Sequence, residues 1–182
     1  MEKALIVIDY TNDFIDQEGA LTCGEPGQRI ETEITSITRQ FIESGDYVVF
    51  AVDCHKKDDK YHPENKLYPP HNIEGTKGRE LYGMLGTLYG KYKEKSNVYW
   101  MDKTRYSAFA GTDLDMKLRE RGITKVHLIG CCTDICVLHT AVDAYNKGFS
   151  IVIHEKAVAS FNKEGHQWAL DHFKHCLNAK VI

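Results

Sequence analysis

The sequence predicts an α/β fold with a doubly wound, mostly parallel sheet and helices on both of its faces. Five bursts of apolar residues rich in Val and Ile recur along the 182 residues, and helical patterns lie between them. The bursts are continuous rather than alternating, which is typical of strands buried on both faces. Strands that alternate with helices form right-handed crossover units, and such units build a parallel sheet.

The predicted elements follow each other along the whole chain. The five predicted strands are residues 4–10, 47–53, 97–103, 125–131 and 150–158. A helix is predicted from Pro26 to Gly45, because isoleucines form one stripe between a proline start and a glycine stop. The other predicted helices are residues 113–121, 134–146 and 164–178. Two glycine-punctuated stretches, 54–78 and 83–90, fit this alternation least well, so we predict irregular and functional segments there.

Composition limits the function classes. With 42% hydrophobic residues, a chain of this length fills one core, so we predict a single domain over residues 1–182. The formal net charge is −3 and no run of Lys or Arg occurs, which argues against a nucleic-acid partner. We therefore expect a small-molecule partner, and we also expect a homo-oligomer.

The start of the sequence, the absence of a long apolar stretch and the cysteines predict a cytoplasmic protein. The start, MEKALIVIDY, has an apolar run too short for a secretory signal, and no stretch is apolar for long enough to span a bilayer. The six cysteines show no framework spacing, and two of them, Cys131 and Cys132, are adjacent. Reduced thiols are therefore expected, and a special cysteine would have a chemical role.

Chemically active residues follow the predicted strands where each strand ends. Asp9 closes the first strand, Asp53 the second, Asp102 and Lys103 the third, and Cys131 with Cys132 the fourth. A single charged residue at a strand end usually meets solvent. In a parallel sheet, however, these ends meet at one edge, where ligands of open α/β sheets bind. Four such ends of complementary chemistry favour a functional site there.

Cys136 is the best candidate for a nucleophile. It falls in the first turn of the helix that follows the fourth strand, with Thr133 or Asp134 as the predicted N-cap. Free N–H groups and the helix dipole stabilise a thiolate there. The same N–H groups could donate hydrogen bonds to an oxyanion. Two alternatives stay open: a cysteine among apolar neighbours is often core filler, and Cys132 with Cys136 forms a weak half of a metal site.

A thiol nucleophile needs a base or a neighbour that lowers its pKa. Asp9 could take the proton of Cys136, and Lys103 could stabilise both anions. Each has a structural alternative, since Asp9 could cap a neighbouring helix and Lys103 could lie at the surface with a buried stem.

The stretch VDCHKKDDKYHPENKLYPPHN, residues 52–72, carries the residues that could bind a metal. Asp53 and His55 lie two residues apart, and the chain is long enough for His71 to fold back toward them. A carboxylate with two imidazoles suits zinc, manganese or iron. The alternative is a solvated polar loop, which is the preferred interpretation for His62 taken alone.

Four motifs together resemble the nicotinamidases of the isochorismatase-like cysteine hydrolases. They are ALIVIDYTNDF, DCH leading to PPHNIEGT, MDKTRYSAFAGTDL and GCCTDICVLHTAVDA, and they cover nearly the whole chain in the family's order. The resemblance is greatest to the pneumococcal-type nicotinamidases. It implies the isochorismatase-like hydrolase fold, with Cys136 as the nucleophile, Asp9 as the general base and acid, and Lys103 as the third member of the triad.

The same resemblance implies one divalent metal. Asp53, His55 and His71 match the family's ligands, and Glu64 in the motif HPE matches the remaining one, with His62 as the alternative. We expect zinc, with manganese or iron as alternatives. The ring nitrogen of nicotinamide would bind this metal.

The resemblance also implies the reaction, which is hydrolysis of nicotinamide to nicotinate and ammonia through a thioester, as part of NAD salvage. Backbone N–H groups of Cys132 and Cys136 would form the oxyanion hole, after a cis peptide between Cys131 and Cys132. The predicted aromatic walls of the substrate pocket are Phe14, Tyr68, Trp100 and Tyr106.

Other interpretations remain open at this point. Cys132 departs from the family pattern, and it is either inert or able to pair with Cys136 under oxidation. Alternative functions are hydrolysis of another small amide or carbamoyl compound, hydrolysis by metal hydroxide without covalent catalysis, and a non-catalytic metal or redox sensor.

Overall fold

A six-stranded parallel sheet forms the centre of the protein. The computed structural model describes residues 3–182, so residues 1 and 2 of the predicted domain lie outside the described part. The strands are β1 (Lys3–Ile8), β2 (Tyr47–Asp53), β3 (Val98–Lys103), β4 (Lys125–Cys131), β5 (Ser150–Ala159) and β6 (Lys180–Val181). Their order in the sheet is β3-β2-β1-β4-β5-β6, and every pair is parallel. The predicted fold class is confirmed.

Within residues 3–182, seven helices and three 3₁₀ or π-helical turns connect the strands. The helices are α1 (Asn12–Ile15), α2 (Glu25–Arg29), α3 (Glu31–Glu43), α4 (Gly83–Tyr92), α5 (Leu114–Arg119), α6 (Leu138–Asn146) and α7 (Lys163–His175). Two 3₁₀ turns cover Pro63–Lys66 and Lys77–Arg79, and a π-helical turn covers Thr133–Val137. Within residues 3–182, none of the helices combines the length and the apolar composition needed to cross a membrane.

Successive residues of β1 point into two different cores, as expected for a strand covered on both faces. Ile6 and Ile8 pack in a core that includes residues of α5, α6 and α7. Leu5 and Val7 pack in a second core that includes residues of α3 and α4. The continuous apolar runs therefore reflect burial on both sides of the sheet.

Two predicted segments differ from the structure. The helix predicted from Pro26 is two helices, because Ile30, with φ −86° and ψ 0°, departs from ideal helical geometry between α2 and α3. The stretch 83–90, predicted to be irregular, forms most of α4 and buries Leu85 and Leu88. A Cβ at Gly86 would lie 2.5 Å from Leu81 O, so a glycine that suggests a break in the sequence instead permits close packing.

Candidate active site

The ends of β1, β2 and β3 bring three charged side chains together beside the point where the strand order reverses. That point lies between β1 and β4, and it is where open α/β sheets bind ligands. Asp9 leaves β1 with a left-handed φ of 52°, and its Oδ1 accepts a hydrogen bond of 2.8 Å from Asp53 N. Asp9, Asp53 and Lys103 are all buried. Asp102 does not join them, because its side chain is 52% exposed and pairs with Arg79.

Lys103 connects the two carboxylates to the candidate nucleophile. Its Nζ lies 2.7 Å from Asp9 Oδ2 and 2.5 Å from Asp53 Oδ1. It also donates to Arg105 O at 3.1 Å and lies 3.8 Å from Cys136 Sγ. A buried ammonium needs such partners to offset its desolvation. The structure therefore brings the three predicted members of the triad into one ionic cluster.

The pKa values of this cluster suit a proton transfer from sulfur to carboxylate. Burial, together with repulsion from Asp53, raises the pKa of Asp9 from 3.8 to about 7. Burial also raises the pKa of the Cys136 thiol well above its ordinary value, although Lys103 works in the opposite direction. The sulfur at rest is thus a thiol that needs a base, and a base with a pKa near neutral pH is the most effective one.

The turn that carries Cys136 differs from the predicted helix start. It is a π-helical turn, and its N-cap is Cys132, with no side chain in the capping role. The predicted caps Thr133 and Asp134 are therefore wrong. Thr133 Oγ1 instead lies 2.8 Å from His166 Nδ1.

The widened turn places the Cys132 N–H at the start of the segment that carries the sulfur. The N–H groups of Ile135 and Val137 both donate to Cys132 O at 3.1 Å. Among the described backbone bonds outside helices and strands, none has Cys132 N as its donor. The peptide bond between Cys131 and Cys132 is cis. A backbone N–H in this position could stabilise a negatively charged oxygen.

Four buried side chains beside the triad could hold a metal ion. One donor atom from each lies within 4.8 Å of the others, and the residues are Asp53, His55, Glu64 and His71. Among residues 3–182, Asp53 Oδ2, His55 Nε2 and His71 Nε2 are buried without a hydrogen-bond partner. Buried polar atoms normally have a partner, and two imidazoles with two carboxylates suit zinc, manganese or iron. The residues fit a divalent metal.

The loop after β2 folds back to assemble this group. His55 N donates to Asn72 O at 3.0 Å, and Glu74 N donates to His55 O at 2.9 Å. His71 Nδ1 donates to Pro69 O at 2.8 Å, so its Nε2 carries the lone pair that a metal would use. Burial lowers the pKa of His55, which favours the neutral form of that imidazole.

His62 lies beside the same group, but both of its ring nitrogens have other partners. Its Nδ1 accepts a hydrogen bond from Glu64 N at 3.3 Å, and its Nε2 donates to Thr104 O at 2.7 Å. Glu64 Oε2, in contrast, lies 3.3 Å from His71 Nε2. The geometry therefore favours Glu64 over His62 as the fourth metal-binding residue.

Zinc titration of two variants tests this choice. Glu64→Ala removes a donor oxygen and is expected to weaken zinc affinity more than about 100-fold, beyond the usual effect of an outer-shell change. His62→Ala removes only a supporting side chain, so a loss of at most about tenfold is expected. A larger loss in His62→Ala than in Glu64→Ala would make His62 the ligand.

A cavity of about 360 Å³, including its open mouth, lies over this cluster. Phe14, Tyr68 and Tyr106 contribute to its wall, as predicted for a pocket that accepts a flat ring. The prediction for Trp100 is wrong. This side chain packs on Tyr89 with 5.1 Å between ring centroids, outside the residues that line the cavity.

Sequence reasoning missed three residues of the wall: Leu21, Ile135 and Phe161. Phe161 follows the end of β5, so the rule that pointed to the other strand ends also applied to it. Ile135 lies next to Cys136 in the turn. Leu21 lies in a loop and has no signal in the sequence.

A model of the isochorismatase domain matches residues 3–182. The chain belongs to the isochorismatase-domain family. A protein of Bacillus subtilis (strain 168), the uncharacterized isochorismatase family protein PncA, is 65% identical over 181 residues, which cover 100% of this chain and 99% of that protein. The sequence motifs predicted membership of this family, and the comparison confirms that prediction.

Solved structures of isochorismatase-family proteins share the fold over the full chain. The crystal structure of nicotinamidase/pyrazinamidase PncA from Bacillus subtilis has a TM-score of 0.98 at 68% identity, covering 100% of this chain and 99% of that one. The pyrazinamidase/nicotinamidase from Streptococcus mutans UA159 has a TM-score of 0.98 at 52% identity, with 100% of both chains covered. The pyrazinamidase of Pyrococcus horikoshii in complex with zinc has a TM-score of 0.87 at 30% identity, covering 100% of this chain and 99% of that one.

Proposed function

We propose that this protein hydrolyses nicotinamide to nicotinate and ammonia through a thioester on Cys136, with a divalent metal at the neighbouring site, as a step of NAD salvage. The observation that carries the proposal is the position of Lys103. Its Nζ contacts both Asp9 and Asp53, so the thiol triad and the candidate metal site form one cluster beneath one cavity.

The similar proteins support the choice of substrate. The Bacillus subtilis and Streptococcus mutans structures are of nicotinamidase/pyrazinamidase enzymes, and both substrates implied by those names are carboxamides of a flat ring that contains nitrogen. The cavity of this chain has aromatic walls from Phe14, Tyr68 and Tyr106, which suit such a ring.

The first half of the reaction forms the thioester. Asp9 takes the proton of Cys136 Sγ, and the sulfur attacks the carboxamide carbon while the C=O electron pair moves to oxygen. The N–H groups of Cys132 and Cys136 stabilise the resulting oxyanion. Asp9 returns the proton to the amide nitrogen, the C–N bond breaks and ammonia leaves.

The second half restores the enzyme. Asp9 is then a carboxylate again and takes a proton from a water molecule that attacks the thioester carbon. The C–S bond breaks, nicotinate forms and Cys136 recovers its proton from Asp9. Lys103 keeps its positive charge throughout, because the Asp53 and Asp9 carboxylates raise its pKa well above the ordinary value although burial alone would lower it.

Asp53, His55, Glu64 and His71 would hold the metal. When bound, it supplies an electron-pair acceptor for the ring nitrogen of the substrate and so fixes the ring. Zinc is our preferred ion, since the Pyrococcus horikoshii pyrazinamidase structure contains zinc. The predicted homo-oligomer and cytoplasmic location remain part of the proposal.

Ammonia release from two amides tests the function. Benzamide keeps the carboxamide but lacks the ring nitrogen. Metal-loaded enzyme is therefore expected to turn over nicotinamide at least about 10³-fold faster than benzamide, an effect smaller than the largest that positioning of a reactant can supply. A chelator is expected to slow nicotinamide hydrolysis strongly and benzamide hydrolysis only slightly. Equal rates for the two amides would contradict ring-nitrogen recognition, and no ammonia from either would contradict the hydrolase.

A further inference from the structure

Two buried thiols from distant parts of the sequence meet behind the cavity wall. Cys23 Sγ and Cys132 Sγ lie 3.1 Å apart, although 109 residues separate them. Their residues are 3% and 7% exposed. Cys132 contributes to the cavity wall, so the pair lies directly beside the space that a small molecule would enter.

The partner of Cys132 is therefore Cys23 and not the nucleophile. Cys136 Sγ instead lies in the cluster with Asp9 and Lys103, 3.8 Å from Lys103 Nζ. Cys23 is anchored to a different wall of the cavity, because its N–H donates to Phe14 O at 2.8 Å. A bond between Cys23 and Cys132 would connect the part of the cavity wall that contains Phe14 directly to the turn that carries Cys136.

We propose that Cys23 and Cys132 form a reversible disulfide on exposure to a peroxide, and that this bond switches off the enzyme. A disulfide needs its sulfurs at about 2.05 Å, so they must approach each other by about 1 Å. That movement pulls Cys132 away from the cavity and displaces its N–H group, which the proposed function uses to stabilise the oxyanion. The loss of activity thus rests on the proposed function, whereas formation of the disulfide does not.

The reaction consumes one peroxide molecule for each disulfide. One thiol of the pair loses its proton and its sulfur attacks the O–O bond of hydrogen peroxide; an S–O bond forms, the O–O bond breaks, and the expelled hydroxide takes up that proton and leaves as water. The second sulfur attacks the resulting sulfenic acid, the S–S bond forms, the S–O bond breaks and a second water leaves. Two thiols are oxidised and the peroxide is reduced, and an added phosphine or thiol reverses the change.

The surroundings of Cys23 favour this chemistry. Hydrogen bonds from the Cys131 and Cys132 thiols lower the pKa of Cys23, although burial opposes the shift. The same contact with Cys23 raises the pKa of Cys132. A lowered pKa favours the thiolate of Cys23 next to the Cys132 thiol, and a low-pKa sulfur beside a resolving cysteine is typical of oxidisable pairs.

Peptide mapping tests the linkage without an activity assay. After brief treatment with hydrogen peroxide and alkylation of the remaining thiols, we expect a fragment spectrum that connects Cys23 to Cys132 and disappears after reduction. Cys132→Ala should lose this link. A link from Cys132 to Cys136, a link from Cys23 to Cys131, or no disulfide at all would overturn the proposal.

Activity after the same treatment tests the switch. The unmodified sequence is expected to lose at least about tenfold in ammonia release and to regain it on reduction. Cys23→Ala is expected to keep its starting activity through the treatment, and Cys176→Ala, which removes an exposed thiol elsewhere, should behave like the unmodified sequence. If Cys23→Ala loses activity equally, oxidation of Cys136 causes the loss and the switch is wrong. If Cys23→Ala does not fold, the peptide map and the recovery on reduction decide.

Discussion

Replacing Cys136 with alanine is expected to reduce nicotinamide turnover on the order of 10⁴–10⁶-fold, the range seen when a covalent nucleophile is removed. The variant loses the sulfur that lies within 4.8 Å of an Asp9 carboxylate oxygen and 3.8 Å from Lys103 Nζ. The metal-binding group does not include Cys136, so zinc content should not change. Steady-state ammonia release and metal analysis of the purified variant measure both effects.

Two matched variants control for the loss of a cysteine. Cys54→Ala and Cys176→Ala remove thiols that lie outside the triad and the cavity wall, so their turnover should remain near that of the unmodified protein. If Cys136→Ala retains more than about one hundredth of the activity, a non-covalent route must exist, since removing a covalent nucleophile costs far more.

Replacing Asp9 with asparagine is the second change with a large expected effect. An amide cannot take the thiol proton or deliver it to ammonia, so kcat should fall by about 10²–10⁴-fold. Asparagine also tolerates the left-handed φ of 52° at this position, which keeps the backbone intact. Single-turnover kinetics should show a slow acylation step with substrate still bound.

Asp102→Asn is the control for this variant. Asp102 also stands at the end of β3, but its side chain is 52% exposed and faces Arg79, so turnover should change little. Comparable losses in Asp9→Asn and Asp102→Asn would show that the effect comes from strand-end charge in general and not from proton transfer by Asp9.

The alternation along β3 explains which site residues the sequence could predict. Lys103 and Asp102 are adjacent, so in a strand they point to opposite faces, and only Lys103 is buried in the cluster. Trp100 lies on the same side as Asp102, and its indole N–H donates to Asp102 Oδ1 at 2.7 Å. Period-two reasoning applied to Lys103 would therefore have removed Trp100 from the predicted pocket.

Other features depend on contacts that no local pattern contains. The choice between Glu64 and His62 rests on the bond from His62 Nε2 to Thr104 O, which joins loops 42 residues apart. Cys23 belongs to no sequence motif. Its proposed role follows only from the fold, which places its sulfur against that of Cys132. The parallel sheet and the strand ends that carry Asp9, Asp53 and Lys103 were predictable because they follow from burial and chain direction, whereas the order of the strands and the short strand β6 were not predicted.

The product ratio in the presence of hydroxylamine tests the thioester most directly. Water and hydroxylamine compete for the acyl group, giving nicotinate and the hydroxamate. If nicotinamide and methyl nicotinate both acylate Cys136, the same intermediate partitions in both reactions, and the ratio of hydroxamate to nicotinate must be identical at a given hydroxylamine concentration. Different ratios from the amide and the ester, or hydroxamate formation that persists unchanged in Cys136→Ala, would contradict a shared thioester on Cys136.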